Sequence, residues 1–467
     1  MNPITIPNIT IPVIGLPTIG IPSVGFPSAS GGGLAWPAGL KESIKAIYDP
    51  AKQGMTNYDV IEAYVEDFTN WNYVKARGVA TISQHKFIIT ECILKGLSIV
   101  EDIQEPYSNL TVRIIGITDN QEVLITDYVN GQHQIINTIT EDGIYTIEDR
   151  HHFVGFGCNF VGTCNITIEQ LPTSILKDLS GNGNHAYLYG GKGKLNSGMG
   201  VYQQDFSKLI ISRVDKKQDP FSFTVSGSGG TYLAYMQLGN WNNKAFKILA
   251  NINAKSDYLH LRFRNNTDAV ITSVALKNGE NIIPAQNIEG ATKAVFEYSL
   301  KEGETITITQ IPDYPDQLCY DGKMYAVCYG FPILTDYTVM AERTWFYNLD
   351  WSGVVIANAY SGNQNERGFI FEYNADKNQF QNNSFGLNNL NDKHENGISY
   401  MTKNSYNGIP IKSGNLKALD ILAIGAFIDN NFISSFNWKG CHGTVIVADH
   451  SFTEEEINWL KQNWDKI

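Results

Sequence analysis

The residues best suited to chemistry in this chain are aromatics set beside side-chain amides. Trp345, Tyr347 and Trp351 stand close together, and Asn358, Asn363 and Gln364 come after them. Rings of this kind pack on the apolar face of a sugar while amides bond its hydroxyls. The grouping predicts carbohydrate binding through Trp345, Tyr347, Trp351 and Asn358. Trp351, between Asp350 and Ser352 in a hairpin-like stretch, is the ring most expected at the surface, whereas Trp345 also fits a core position.

Catalytic constellations are missing. Glycoside hydrolysis needs two carboxyl groups flanking the bond. Glu101, Asp102 and Glu105 are wrongly spaced for that, and Glu366, Glu372 and Asp376 do not fit a single strand face. Gly-x-Ser-x-Gly, His-Glu-x-x-His and a phosphate-binding loop are absent. His151-His152 reads as a loop or strand edge rather than a metal pair. No catalytic residue, metal or cofactor is assigned.

The elements that must position these side chains are strands. Alternating runs recur between turns at 86–92, 111–116, 122–128 and 134–139, and again at 221–225, 258–263, 270–276 and 294–298. The first series ends Asn-Ile-Thr-Ile-Glu-Gln-Leu-Pro at 165–172, the second Thr-Ile-Thr-Ile-Thr-Gln-Ile-Pro at 305–312. The endings agree at five of eight positions, which predicts a duplicated β-sandwich unit. Residues 43–48 alternate like a short strand closed by Asp49-Pro50. In 56–71, Ile61, Tyr64, Val65 and Phe68 fall at helical spacing and predict an amphipathic helix. Thr453 and Glu456 form a capping box before a helix whose apolar face is Ile457, Leu460 and Trp464.

The first thirty residues obey neither period. Pro7, Pro12, Pro17, Pro22 and Pro27 recur every five residues, each after a large apolar residue: Ile6, Ile11, Leu16, Ile21 and Phe26. Ile9, Ile14, Ile19 and Val24 lie two residues after four of the prolines. Proline at this spacing excludes a continuous helix or a central strand. An extended rod remains, too rich in Ile and Val for a solvated linker. The stretch predicts an assembly element in which identical chains, preferably three, bury these side chains together, or which seats in another protein.

The chain has 467 residues and a net charge of −12, which argues against nucleic acid or an anionic membrane as partner. No run of 18 apolar residues predicts membrane insertion. Charged residues make up 18% and aromatic residues 12%, a profile of β-rich extracellular or virion proteins. Because the N-terminus lacks a basic, signal-like start, assembly in the cytoplasm and release by lysis are expected. The six cysteines include no CxxC pair; reduced, buried thiols are expected, with 158/164 and 319/328 placed to face each other across hairpins.

Asp178-Leu179-Ser180-Gly181-Asn182-Gly183-Asn184-His185 resembles the opening turn of concanavalin A-like, laminin-G-like jelly rolls. Residues 319–325, 338–346, 421–427, 442–448 and 451–460 are similar to later segments of that family in its order, with Met324 where an acid is usual. The resemblance implies an all-β jelly roll split by two inserted or tandem β-sandwich units, with the N-terminal stalk and a short C-terminal helix. The expected organisation is 1–30 stalk, 31–40 Gly-rich joint, 41–74 first strand and helix of the jelly roll, 75–172 first unit, 173–202 jelly roll, 203–316 second unit and 317–467 the remainder. Leu34, Trp36 and Leu40 are expected to pack on the domain beyond the joint. The family's E-x-D-x-E glycosidase strand is absent. Asp178, Asn182 and Asn184 are oxygen donors at a spacing that suits calcium, which occurs in this fold, and equally serve a turn; the two readings stay open.

Together, stalk and jelly roll resemble fibre and adhesin proteins of bacteriophages that infect gut Bacteroidetes, including the crAss-like group. That resemblance implies a homotrimeric virion fibre, held to a capsid or tail protein by its N-terminus, with a host cell-surface glycan as target. A glycan-active enzyme on the same fold and a bacterial surface lectin are the alternatives.

Overall fold

A computed structural model describes residues 34–467 except 60–62, 101–108, 130–131, 149–153, 192–194, 212–214, 228, 256–257, 347–352, 362–367, 377–378, 382–395, 412–415 and 429–433. The described residues are mostly strands in antiparallel sheets. The whole stalk, with Ile6 to Pro27, lies outside them, as do Tyr347 and Trp351.

A main sandwich takes the two ends of the described chain. The first strand, Ile44–Tyr48, pairs with the last, Lys439–Ala448, setting Ile44 opposite Ala448. Lys439–Ala448 also pairs with Asp313–Asp321 and with Thr338–Trp345, and is therefore the axis of an eight-stranded sheet. A seven-stranded sheet runs Ile175–Leu176, Ala186–Tyr189, Tyr325–Tyr329, Leu416–Ile424, Gly353–Ser361, Ile370–Asp376, Gln379–Gln381. Alternation along the strands places Val339, Ala341, Val445 and Val447 from one sheet against Leu188, Ala326, Leu422 and Ile424 from the other in one core. The helix Glu454–Gln462 forms with its capping box and lays Ile457 and Leu460 on the outer face of the eight-stranded sheet; Trp464, expected on the same helix face, joins them from the 3-10 turn Trp464–Lys466 that follows the helix. Leu40 is buried in the same cluster, and Trp36 packs at a tilt against Trp459 with ring centroids 5.0 Å apart.

Two ten-stranded units interrupt this sandwich, and their strand orders coincide. In the first, one sheet runs Asn72–Tyr73, Gly96–Val100, Val154–Cys158, Val123–Val129, Gln132–Ile139. The facing sheet runs Gly78–Ser83, Lys86–Cys92, Gly162–Gln170, Leu110–Ile115, Gly143–Ile147. In the second, the sheets run Ile210–Ile211, Gly230–Gln237, Lys293–Leu300, Leu259–Arg264, Val270–Ala275 and Asp215–Gln218, Ser222–Ser226, Thr305–Ile311, Phe246–Asn253, Gly279–Ile283. Strand for strand these correspond. Each core holds three packed phenylalanines, Phe68, Phe87 and Phe156 in one, Phe206, Phe223 and Phe296 in the other.

The matched endings are the same strand of each unit, in the same register. Ile168 faces Phe87 and Ile308 faces Phe223. The shared glutamine has a specific task. Gln170 Oε1 accepts from the backbone N–H of Val65 and Glu66, both at 2.9 Å, and its Nε2 donates to Glu66 O at 2.8 Å. Gln310 does the same to Gln203 and Gln204, at 2.7, 2.9 and 2.9 Å. One residue past each clamped pair, Asp67 and Asp205 cap short 3-10 turns through the N–H of Thr69 and Ser207.

This clamp corrects the expected helix at 56–71. Among the described residues of that stretch the only helical turn is Phe68–Asn70, a 3-10 turn. The donors of Val65 and Glu66 are taken by Gln170, and Tyr64 stacks on His85 at 3.7 Å. The segment is an extended connector already belonging to the first unit, since Asn72–Tyr73 pairs with Gly96–Val100. The cysteine pairing is corrected too. Cys92 and Cys158 form a disulfide between the two sheets of the first unit, with Cα atoms 6.6 Å apart, and Cys164, Cys319, Cys328 and Cys441 are free thiols. Cys319 and Cys328 stand in different sheets, so no hairpin brings them face to face.

Candidate functional site

Two of the four carbohydrate-binding residues named from the sequence lie among the described residues, and both are buried. Trp345 follows Val339, Ala341 and Arg343 at period two, so its ring turns into the core, 7% exposed, against Trp438. Asn358 is 0% exposed. It sits at a register shift between Gly353–Ser361 and Leu416–Ile424, where its Nδ2 donates to Leu419 O at 2.8 Å and Ile421 O at 2.5 Å. It thus supplies donors that the interrupted ladder lacks. Neither side chain presents a face to solvent, and neither belongs to a surface site.

The indole N–H of Trp345 leads to a buried ionic node. It donates to Glu372 Oε2 at 3.0 Å. Arg343 Nε reaches both Glu372 oxygens, at 3.0 and 2.9 Å, and the Ser399 and Tyr406 hydroxyls donate to Oε1 at 2.6 and 2.9 Å. Glu372 is 0% and Arg343 2% exposed on their side chains. Strict alternation would send Phe371 and Glu372 to opposite faces. Glu372 has φ of +54°, and that turn lets both point between the sheets. Burial opposes the Arg343 charge, but the Glu372 carboxylate outweighs it and holds the guanidinium above its usual value. Burial first, and the Glu372 charge second, push the Tyr406 phenol well up, so it remains an O–H donor. With its oxygens facing these donors, Glu372 ties the sheets together.

The opening turn of 178–185 is likewise committed to structure. Asp178 Oδ1 accepts from Ile47 and Ser180 N–H at 3.0 and 2.9 Å, and Oδ2 from Asn184 N–H at 3.0 Å. Asn182 and Asn184 donate to Ile44 O and Lys45 O at 2.8 and 2.7 Å, and His185 Nδ1 accepts from Asp178 N–H. The turn therefore fastens the first strand, and its polar groups face backbone partners rather than a common point. Among the described residues no group of three His, Cys, Asp or Glu side chains is placed to hold a metal.

A surface concavity lies elsewhere, where the first unit meets the main sandwich. Tyr187 and Tyr189 share one face of their strand, Tyr325 and Tyr329 one face of theirs, and the four meet on the outside of the seven-stranded sheet. Tyr189 and Tyr329 hydroxyls are 2.9 Å apart. Arg113 of the first unit lays its guanidinium 4.6 Å from the Tyr329 ring centre while bonding Glu169 at 2.6 Å. Beside this contact opens a cleft of about 570 Å³ that includes Ile115, Asp142, Ile144, Tyr329 and Asp420. Sequence reasoning missed it. The two-residue spacing of Tyr187 and Tyr189 was the available signal, but it does not say what the face packs against.

No protein-family model matches the chain, and no curated protein does. No described helix is long and apolar enough to cross a membrane.

Proposed function

We propose that the chain is a trimeric structural fibre of a virion, anchored to a capsid or tail protein by residues 1–30. The main sandwich is then a concanavalin A-like jelly roll which, with its two inserted units, faces a host-surface glycan. The observation that carries this reading is the pentapeptide series: Ile6, Ile9, Ile11, Ile14, Leu16, Ile19, Ile21, Val24 and Phe26 within one uncharged, proline-paced segment. A single extended chain leaves such side chains in water, whereas three chains about an axis, or a socket in a partner, desolvate them. The three sandwiches after it carry cores of their own, so the N-terminal segment is free to serve assembly.

Burying each of Ile9, Ile14, Ile19 and Val24 contributes about 1.5–3 kcal/mol per chain. Sedimentation of the purified full chain at micromolar concentration is expected to give three times the 52.0 kDa chain mass. Replacing Ile14 and Ile19 by Asn is expected to abolish trimerisation or incorporation into particles while thermal unfolding of the sandwiches is unchanged. A monomeric wild-type chain, or wild-type incorporation of the double variant, would refute the fibre.

A further inference from the structure

We propose that the cleft between the first ten-stranded unit and the main sandwich is the saccharide-binding site, and that the saccharide is uncharged. The inference rests on the glycan-binding part of the proposed function. It moves the site away from Trp345 and Asn358, which are buried.

The volume, about 570 Å³, falls in the range of small-ligand sites, and such sites favour the seams between domains. The walls combine the two surfaces that a sugar ring needs. Ile115, Ile144 and Tyr329 supply apolar contact, and Asp142 and Asp420 supply planar acceptors for hydroxyl donors. The rim is bare at Gly330, whose φ is +70° and which has no atom within 4 Å of where a Cβ would stand. A side chain there would narrow the mouth.

Charge selects the class. Arg113, the cation of the cleft, is held by Glu169 at 2.6 Å and by the Tyr329 face. Asp142 Oδ1 accepts from Ile117 N–H at 2.9 Å, which leaves Oδ2 to a ligand. The exposed Asp420 carboxylate has no ion-pair partner among the described residues. Two carboxylates with no cation to spare repel a uronate or sialic acid and accept hydroxyl protons. A second concavity shares Asp142 and is lined further by Asn120, Gln121 and Glu141.

The test uses the full-length chain on an array of immobilised oligosaccharides, neutral ones beside sialylated and uronate-bearing ones. Capture of neutral members alone is expected. Ile144→Trp fills the cleft from an exposed strand position, and Asp420→Ala removes one acceptor. Each is expected to weaken capture of the glycan by about tenfold or more, Ile144→Trp by occupying the cleft and Asp420→Ala by the loss of one charge-assisted hydrogen bond. Circular dichroism and sedimentation identical to wild type establish that both variants fold. Unchanged affinity in both, or loss of capture only on Trp351→Ala, overturns the cleft and leaves glycan binding standing. Capture of anionic members alone overturns the assigned class. A folded wild-type chain that captures no saccharide overturns the cleft and the glycan-binding reading together.

Discussion

Replacing Gln310 by Met removes an amide from the second inserted unit while nearly preserving side-chain length and volume. Gln310 is 2% exposed, and its amide meets three backbone groups of the entering chain: the N–H of Gln203 and Gln204 and the carbonyl of Gln204. No other side chain stands in for it, because Gln204 directs its own amide to Asn242, donating to its carbonyl at 2.6 Å and accepting its N–H at 3.0 Å. A buried group left without its partner costs about 1–3 kcal/mol. Three groups at the low end of that range, on a connector that water partly reaches, give a loss of about 3 kcal/mol. Gln170→Met should cost the first unit a similar amount, and the two losses should add, since the sites share no partner. Gln310→Glu keeps two acceptors but sets a carboxylate against Gln204 O; its deficit should shrink on acidification, when the protonated carboxyl regains a donor. Urea midpoints report the loss, and hydrogen exchange at Gln203 and Gln204 localises it. Wild-type protection at those two amides in Gln310→Met, with an unchanged midpoint, would refute the clamp.

A second prediction concerns pH. His442 is wholly buried, accepts from the Tyr320 hydroxyl at 3.0 Å and donates through Nδ1 to Gly443 O at 2.7 Å; burial lowers it to about 4. The unfolded chain binds that proton from about pH 6.5 down and the fold does not, so stability present above pH 6.5 is lost as pH falls towards 4, by about 3 kcal/mol. Denaturant midpoints for wild type and His442→Gln between pH 7 and 4.5 measure it, and an equal slope in both would sink the assignment. A third concerns the buried node. Arg343→Met leaves the buried Glu372 charge without its cation and should cost about 3–5 kcal/mol, whereas Arg343→Met with Glu372→Leu should recover only part of that, because the Trp345, Ser399 and Tyr406 donors then lose their acceptor. Calorimetry of the single and double variants decides it, and a double variant no better than the single would count against the node as an ion pair.

Local spacing alone determined much of this protein. Period two marked 86–92 and 221–225 as strands, and in the fold Phe87 and Ile89, and Phe223 and Val225, turn inward, because side-chain direction follows from that period wherever a sheet has one buried face. The capping box at Thr453 and Glu456 was legible because both halves lie within one turn. The twinned endings at 165–172 and 305–312 pointed to a repeated unit, and strand order shows the repeat in full. Other features turned on partners that are far apart in sequence. Tyr64, Val65 and Phe68 have helical spacing, yet the donors of Val65 and Glu66 belong to Gln170, over 100 residues later. Cys158 has Cys164 as its near neighbour in sequence, but the fold joins it to Cys92 across two sheets, 66 residues away. Glu372 faces inward only because its own φ breaks the alternation and Arg343 waits on the opposite sheet. The tyrosine face is made by two paired strands of the main sandwich, but the cleft beside it exists because the first unit sets Arg113 over Tyr329. A pattern within one strand fixes which way a side chain points; the charge, ring or backbone group it meets there is chosen by the packing of sheets.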